Sequence, residues 1–227
     1  MAKKVVLVGD GATGKTTLLL TATTGNYTTT PETESTKFET KVRVGDRECL
    51  LDFYDTNGQE ENQKQRIAVY PHTDVFIIAF SIVSPYSFDS VLTKWHPEIN
   101  RYAPGVPVLL VGTKLDIRND PYSLERLSGR KLAPISYQQG REMKEHISAL
   151  SYVECSAQTG EGLPSLLEAV LHIADPPAAK TKAQKRKSKV KEKKEVKKDW
   201  AVISVNGHQM VEGEIVAKNK NQNCSVL

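Results

Sequence analysis

The chain has 227 residues, of which 39% are hydrophobic, so it can form one large domain or two small ones. Its charge is uneven: residues 1–175 carry 18 Lys or Arg against 22 Asp or Glu, a net −4, whereas residues 176–227 carry 13 against 5, a net +8. Three cysteines, an odd number, argue against a disulfide framework and indicate a reducing compartment. No apolar run approaches the ~20 residues of a membrane-spanning helix, and the run at residues 5–8 is too short for a signal peptide.

Short apolar runs alternate with amphipathic stretches along residues 1–175. Strands are predicted at residues 4–8, 37–44, 48–54, 74–80, 107–111 and 152–154. Helices are predicted at residues 15–24, 85–99, 137–148 and 163–173, where apolar residues recur at about 3.6-residue spacing. Gly45-Asp46 favours an antiparallel hairpin between the second and third strands.

This order of elements predicts an α/β fold, because strands that alternate with helices form right-handed βαβ units. We expect an open, mostly parallel sheet with one antiparallel hairpin strand and helices on both faces, and a ligand site beyond the carboxyl ends of the strands. The predicted domain is residues 1–175. Residues 176–227 are predicted to be a disordered basic tail, because residues 180–198 contain eleven Lys or Arg and few apolar residues.

The segment Gly9-Asp10-Gly11-Ala12-Thr13-Gly14-Lys15-Thr16 matches the phosphate-binding loop G-x-x-x-x-G-K-[ST], and it lies between a predicted strand and a predicted helix. Backbone N–H groups of such a loop surround phosphate oxygens, and the start of the helix adds partial positive charge. Lys15 is expected to reach the β- and γ-phosphates, and the Thr16 hydroxyl to ligate Mg²⁺.

Three further motifs follow predicted strands and narrow the nucleotide class. Asp55-Thr56-Asn57-Gly58-Gln59-Glu60 offers a carboxylate for Mg²⁺ through water, a Gly58 N–H for the γ-phosphate, and Gln59 to orient the attacking water. In Thr113-Lys114-Leu115-Asp116, the carboxylate can accept from N1–H and the N2 amine of guanine, which adenine lacks, and Lys114 can lie along the base. A backbone N–H of Ser156-Ala157-Gln158 can reach guanine O6.

With these motifs the sequence resembles the Ras superfamily of small GTPases over residues 3–175, and within it the Rho family. Features similar to Rho proteins are found at residues 70–76, 84–88, 94–99 and 152–157, and residues 118–133 resemble the helical insert of that family. The resemblance implies GTP and GDP as ligands, Mg²⁺ as cofactor, and Gln59 and Lys15 as catalytic residues. The implied nucleotide-binding residues are Gly9, Asp10, Gly11, Ala12, Thr13, Gly14, Lys15, Thr16, Thr17, Tyr27, Thr33, Asp55, Gly58, Gln59, Thr113, Lys114, Asp116, Ser156, Ala157 and Gln158.

Both switch regions depart from the Rho pattern. Ungapped counting from Asp55 places the switch I threonine that ligates Mg²⁺ at Thr33, and Thr36 is the alternative. Asn57 replaces the usual alanine, and residues 61–66 lack the Tyr and Leu that Rho regulators contact. No arginine lies in the switch I segment, so intrinsic hydrolysis is expected on the order of 10⁻⁴ s⁻¹, with ~10⁵-fold acceleration by an activating partner.

The chain ends in Cys224-Ser225-Val226-Leu227, a C-a-a-X pattern that predicts geranylgeranylation of Cys224. The basic run at residues 180–198 can add attraction to an anionic membrane. We therefore expect the protein at the cytoplasmic face of membranes, mainly the plasma membrane, and partly in the cytosol. The resemblance to Rho proteins implies an exchange factor, a GTPase-activating protein and effectors as partners, and a role in the cytoskeleton or polarity.

Three other functions remain open from the sequence. The drifted switches allow a nucleotide-bound interaction module that hydrolyses or exchanges poorly. A P-loop ATPase or kinase is disfavoured by Asp116. A nucleic-acid partner is not expected, because the basic run has no interleaved aromatic residues before Trp200.

Overall fold

The computed structural model describes residues 2–28, 36–44, 47–176, 203–205, 208–211 and 214–215. Within residues 2–176 it contains six strands. These are β1 (Lys3–Val8), β2 (Lys37–Val44), β3 (Arg47–Asp55), β4 (Val75–Ser81), β5 (Val108–Thr113) and β6 (Ser151–Glu154). Every residue of β4 and β5 is buried, as expected for central strands of a parallel sheet that is covered on both faces.

Seven α-helices accompany these strands. They are α1 (Lys15–Thr24), α2 (Gln63–Ala68), α3 (Pro85–Ser90), α4 (His96–Tyr102), α5 (Pro121–Ser128), α6 (Tyr137–His146) and α7 (Leu163–Ala174). Capping side chains fix where three of these helices begin. The side chains of Ser84 and Asp120 cap α3 and α5, and Ser136 forms a capping box with Gln139 at α6. None of the described helices is long and apolar enough to cross a bilayer.

The six strands form one sheet in the order β6-β5-β4-β1-β3-β2. All neighbours are parallel except β2 and β3, which pair antiparallel with Phe38 opposite Phe53. One face carries α1 and α7 over a core that includes Leu18 and Leu167, and the other face has a second core around Phe80 and Trp95. The predicted fold class is confirmed.

The structure also differs from the predictions at three places. No helix was predicted at α2 (Gln63–Ala68). The predicted helix at 85–99 is continuous but is not α-helical throughout. A π-helical turn at Val91–Trp95 joins α3 to α4. In addition, three short strands lie in the tail that was predicted to be disordered: β7 (Ile203–Val205), β8 (His208–Val211) and β9 (Glu214–Ile215). They extend the sheet beyond β2. The basic run 180–198 lies outside the described residues.

Candidate functional site

The phosphate-binding loop connects β1 to α1 at the carboxyl edge of the sheet. Lys15 is only 7% exposed, and its ammonium group donates to the carbonyls of Gly9 and Asp10, both at 2.8 Å. Burial lowers the pKa of Lys15 to about 8, although the nearby carboxylates of Asp55 and Asp10 act in the opposite direction. A cation so desolvated gains strongly from an anion beside it, which suits a phosphate ligand.

Two oxygen ligands for a hard cation meet at the start of α1. The Thr16 hydroxyl donates to Oδ2 of Asp55. Oδ1 of Asp55 is buried and has no hydrogen-bond partner among the described residues. Burial raises the pKa of Asp55, against the hydrogen bond from Thr16 and the charge of Lys15. An orphaned carboxylate oxygen beside a hydroxyl fits Mg²⁺, which prefers oxygen ligands and keeps most of its shell for water and phosphate.

The loop after β3 packs directly on the phosphate-binding loop. A Cβ atom added to Gly58 would lie 2.3 Å from the carbonyl oxygen of Gly9 and 2.7 Å from the amide nitrogen of Gly11, so only glycine fits. The amide of Gln59 donates to the side chain of Asn57 at 2.9 Å, and the Gln59 side chain is exposed. The unusual Asn57 therefore shapes the backbone that carries the predicted catalytic glutamine.

Cations on neighbouring helical elements bind the carbonyls of this loop. Nη1 of Arg66 donates to the carbonyls of Asn57 (2.8 Å) and Gln59 (3.1 Å), and Lys94 donates to the carbonyl of Gly58 at 3.3 Å. Arg66 is held by Glu98, which accepts from its Nε and Nη2 at 2.8 Å each. Three consecutive carbonyls of the loop thus have charged donors, which strengthens these hydrogen bonds.

The π-helical turn that carries Lys94 also contacts the phosphate-binding loop, through Trp95. The indole N–H of buried Trp95 donates to the carboxylate of Asp10 at 2.8 Å. The ring lies 4.8 Å from the Arg66 guanidinium and 4.7 Å from the Lys94 ammonium, both within cation–π range. The π-helical turn therefore supports both loops that surround the predicted phosphate position.

A cleft of about 400 Å³ opens beside the phosphate-binding loop, large enough for a purine base and sugar. Its lining residues come from the phosphate-binding loop, α1 and the loops after β5 and β6. They are Ala12, Thr13, Gly14, Thr17, Leu18, Tyr27, Thr113, Lys114, Asp116, Ile117, Ala157 and Gln158.

The carboxylate of Asp116, which the sequence predicts to bind guanine, is oriented by a hydrogen bond. Ser156 is fully buried, and its hydroxyl donates to Oδ1 of Asp116 at 2.6 Å while it accepts from the amide of Thr159. Thr113 joins this side of the cleft to the phosphate side, since its hydroxyl lies 2.6 Å from the carbonyl of Thr13. The carboxylate is thus fixed relative to the phosphate-binding loop.

Two non-glycine residues at the cleft have a left-handed backbone: Ala12 and Lys114, each with φ of 60°. They contact one another, because the ammonium of Lys114 donates to the carbonyl of Ala12 at 2.8 Å. Burial lowers the pKa of Lys114. Such strain persists only where surrounding contacts determine it, and it is concentrated at ligand-binding sites.

The structure brings the predicted site residues to one edge of the sheet, with two exceptions. Thr33 and Cys224 lie outside the described residues, so Thr33 and its alternative Thr36 are not distinguished as Mg²⁺ ligands. The carbonyl of Thr36 accepts from the amide of Asp55 at 2.8 Å. Sequence reasoning did not assign roles to Leu18 and Ile117 in the cleft, or to the buried pair of Arg66 and Glu98.

A protein-family comparison agrees with this geometry. The model of the family described as the Ras family matches residues 4–175, which is most of the chain and includes every residue of the two loops and the cleft.

Proposed function

Because this chain belongs to the Ras family, we propose that it is a molecular switch that binds GTP with Mg²⁺ and hydrolyses it slowly to GDP and phosphate. Proteins of this family bind guanine nucleotides and Mg²⁺ and hydrolyse GTP. One observation carries the proposal for this chain. The cleft that contains Asp116 is lined in part by residues 12–14 of the loop that ends in the buried cation Lys15, and Thr113 links the two sides.

Different residues of the site have different roles in GTP binding and hydrolysis. Asp116 selects guanine because its oriented carboxylate can accept two N–H groups of the base. Lys15 and the backbone N–H groups at the start of α1 stabilise negative charge on the phosphates. Thr16, and Asp55 through water, would hold Mg²⁺, which would supply positive charge against the negative charge of the phosphates. Gln59 would orient the attacking water, since no covalent nucleophile is needed.

A second function is favoured by one feature of the switch. The backbone N–H of exposed Gln59 donates to the side chain of Asn57, where the Rho pattern has alanine. A restrained loop of this kind could keep Gln59 away from the water. The protein would then be a nucleotide-bound interaction module with impaired hydrolysis or exchange.

Single-turnover GTP hydrolysis with Mg²⁺ distinguishes these two functions. The wild type is compared with Gln59→Leu, which removes water positioning, and with Asn57→Ala, which restores the residue of the Rho pattern. A switch gives slow hydrolysis, on the order of 10⁻⁴ s⁻¹, that Gln59→Leu abolishes. The interaction module would be favoured if the wild type and Gln59→Leu both bind GTP tightly without hydrolysing it, and Asn57→Ala gains hydrolysis.

We further propose that the switch is Rho-like. The supporting feature is α5, which lies within residues 118–133, the segment that resembles the helical insert of that family. The test is acceleration by activating proteins: a Rho-specific activator should accelerate hydrolysis, and a Ras-specific one should not. The reverse result would place the chain in another branch of the superfamily.

We also propose that Cys224 is geranylgeranylated and that the basic run 180–198 adds affinity for an anionic leaflet. The support is the C-a-a-X ending and the eleven Lys or Arg of that run. In cells, the wild type should fractionate with membranes and partly with cytosol, and Cys224→Ser should shift entirely to the cytosol. Retention of Cys224→Ser on membranes would contradict lipid anchoring.

A further inference from the structure

The edge strand of the six-stranded sheet is paired with the chain's own tail. β2 and β7 are antiparallel, with Val42 opposite Val205, Arg43 opposite Ser204 and Val44 opposite Ile203. β8 pairs with β7, and β9 pairs with β8, both antiparallel. We call these three strands the C-terminal meander. It covers a sheet edge whose unpaired backbone N–H and C=O groups could otherwise form hydrogen bonds with a strand of another molecule.

The sequence of the C-terminal meander matches this register. Ile203, Met210 and Ile215 occupy successive positions in the cross-strand row of Val44, and an alternate row continues from Arg43 through Ser204 and Gln209. The register thus pairs each of these three apolar residues with another apolar residue in the neighbouring strand. A shift of β7 by one residue toward the start of β2 would pair apolar Ile203 with Arg43 in place of Val44, so the alternation in sequence specifies the register.

The connections within the C-terminal meander have the chemistry of tight turns. Two residues, Asn206-Gly207, separate β7 from β8, and two residues, Glu212-Gly213, separate β8 from β9. Asn-Gly between alternating strands is the strongest short-range hairpin signal in a sequence. Local preference and the observed pairing therefore agree, which is expected of a segment that folds specifically.

The geometry favours pairing within one molecule. Asp175, at the end of α7, forms an ion pair with Arg47 at 3.1 Å, so the chain leaves the domain beside the start of β3. Arg47 lies opposite Val44, and Val44 lies opposite Ile203. The tail thus leaves and returns at the same end of β2, and residues of α1 lie within 8 Å of β7 residues between Cα atoms. A linker whose ends are this close gives a high effective concentration.

We propose that the C-terminal meander is an intramolecular cover of the β2 edge. A partner that adds a strand to this edge has to displace the cover, so access to the strand that follows the predicted switch I is controlled by the tail of the same chain. The cover also limits the position of Cys224. It is nine positions beyond Ile215, with eight residues between them, so it stays within about 30 Å of β9.

A disulfide cross-link tests the pairing in the full-length chain. Arg43→Cys and Ser204→Cys create a directly opposed pair, in a background of Cys49→Ser and Cys224→Ser. The matched control joins Arg43→Cys with Ser188→Cys, which adds a cysteine to the linker instead of β7. We expect the Ser204 pair to form a monomeric disulfide at least about tenfold faster than the control. Equal rates overturn the proposal, and a cross-linked dimer shows that the cover comes from a second copy and overturns it as stated.

Amide hydrogen exchange provides a second test of the pairing between β2 and β7, without introduced cysteines. β7 lies between β2 and β8, so a proline at Ser204 removes a ladder hydrogen bond on one side or the other. Amides of residues 41–44 should exchange at least about tenfold faster in Ser204→Pro than in wild type, and Ser188→Pro should match wild type. Unchanged exchange in Ser204→Pro contradicts the cover. Neither experiment depends on nucleotide hydrolysis, so this proposal and the proposed function can fail separately.

Discussion

Replacing Arg66 with methionine should destabilise the protein by about 3 kcal/mol or more, because the substitution leaves a buried carboxylate without its cation. The side chains of Arg66 and Glu98 are only 1% and 5% exposed. The change removes two hydrogen bonds to Glu98 at 2.8 Å and two to the carbonyls of Asn57 and Gln59. Hydrogen bonds to a charged group contribute about 1.5–3 kcal/mol each, and remaining donors to Glu98 offset part of the loss.

The remaining donors are Tyr70 and Gln63, at 2.6 and 3.0 Å from the carboxylate. The coupling is measured with a double-mutant cycle of Arg66→Met, Glu98→Gln and the double variant. Urea unfolding is followed with Mg²⁺ at a fixed GDP concentration, and the contribution of bound GDP is subtracted with each variant's own measured affinity, because a bound ligand raises apparent stability by mass action. The double variant should lose less than the sum of the two single variants. A coupling free energy below about 0.5 kcal/mol would refute this account of the pair.

The pH dependence gives an independent check on the same pair. Burial alone would raise the pKa of Glu98, but the hydrogen bonds from Arg66, Tyr70 and Gln63 outweigh it and hold the pKa below its usual value. A lowered pKa in the folded state contributes stability above the unfolded pKa of about 4.3, and this stability is lost as the pH falls through the folded pKa. The difference in unfolding free energy between wild type and Arg66→Met should therefore shrink below about pH 4. A difference independent of pH would point to lost packing instead.

Three further substitutions test other contacts. Gly58→Ala should weaken Mg²⁺-GTP binding by at least about tenfold, because its Cβ would meet loop backbone at 2.3 Å; unchanged affinity in a fluorescent-nucleotide titration would contradict this. Gly140→Ala should cost about 1–3 kcal/mol in thermal unfolding without changing nucleotide affinity, because its Cβ would lie 2.1 Å from the Tyr152 ring. Trp95→Phe should lose about 1 kcal/mol in urea unfolding, because Asp10 loses its indole donor; no loss would mean that another donor replaces it.

The sequence predicted the elements and local loops well, for a physical reason. Strands such as β4 are continuous apolar runs, and the phosphate-binding loop is a contiguous segment whose glycines and lysine act on one ligand. The pair of Arg66 and Glu98 could not be found in this way. Its members are 32 positions apart, and each is a common charged residue until the fold buries both.

The tail shows a different limit of sequence reasoning. The disorder prediction averaged composition over residues 176–227, and the charge of the basic run dominated that average. The alternation in residues 203–215 and the Asn-Gly dipeptide are local signals, and a shorter window would have revealed them. Composition correctly identifies segments that cannot bury apolar surface alone, but it does not detect a strand that completes an existing sheet.

The contacts around the site separate a fixed part from a part that can move. The Asp10 carboxylate is bound by Trp95, and the carbonyls of the loop after β3 are bound by Arg66 of α2 and by Lys94, so α2 and the π-helical turn together hold the two loops beside the predicted phosphate position. Within the part of the chain that the structure describes, the exposed side chain of Gln59 has only a long hydrogen bond, accepted from the Asn62 amide at 3.4 Å. A switch needs this division: a preorganised phosphate site gives affinity, while a weakly held glutamine can be repositioned by a partner at little cost. Substitutions at Trp95 or Arg66 should therefore change nucleotide affinity and stability together, whereas substitutions at Gln59 should change the hydrolysis rate alone.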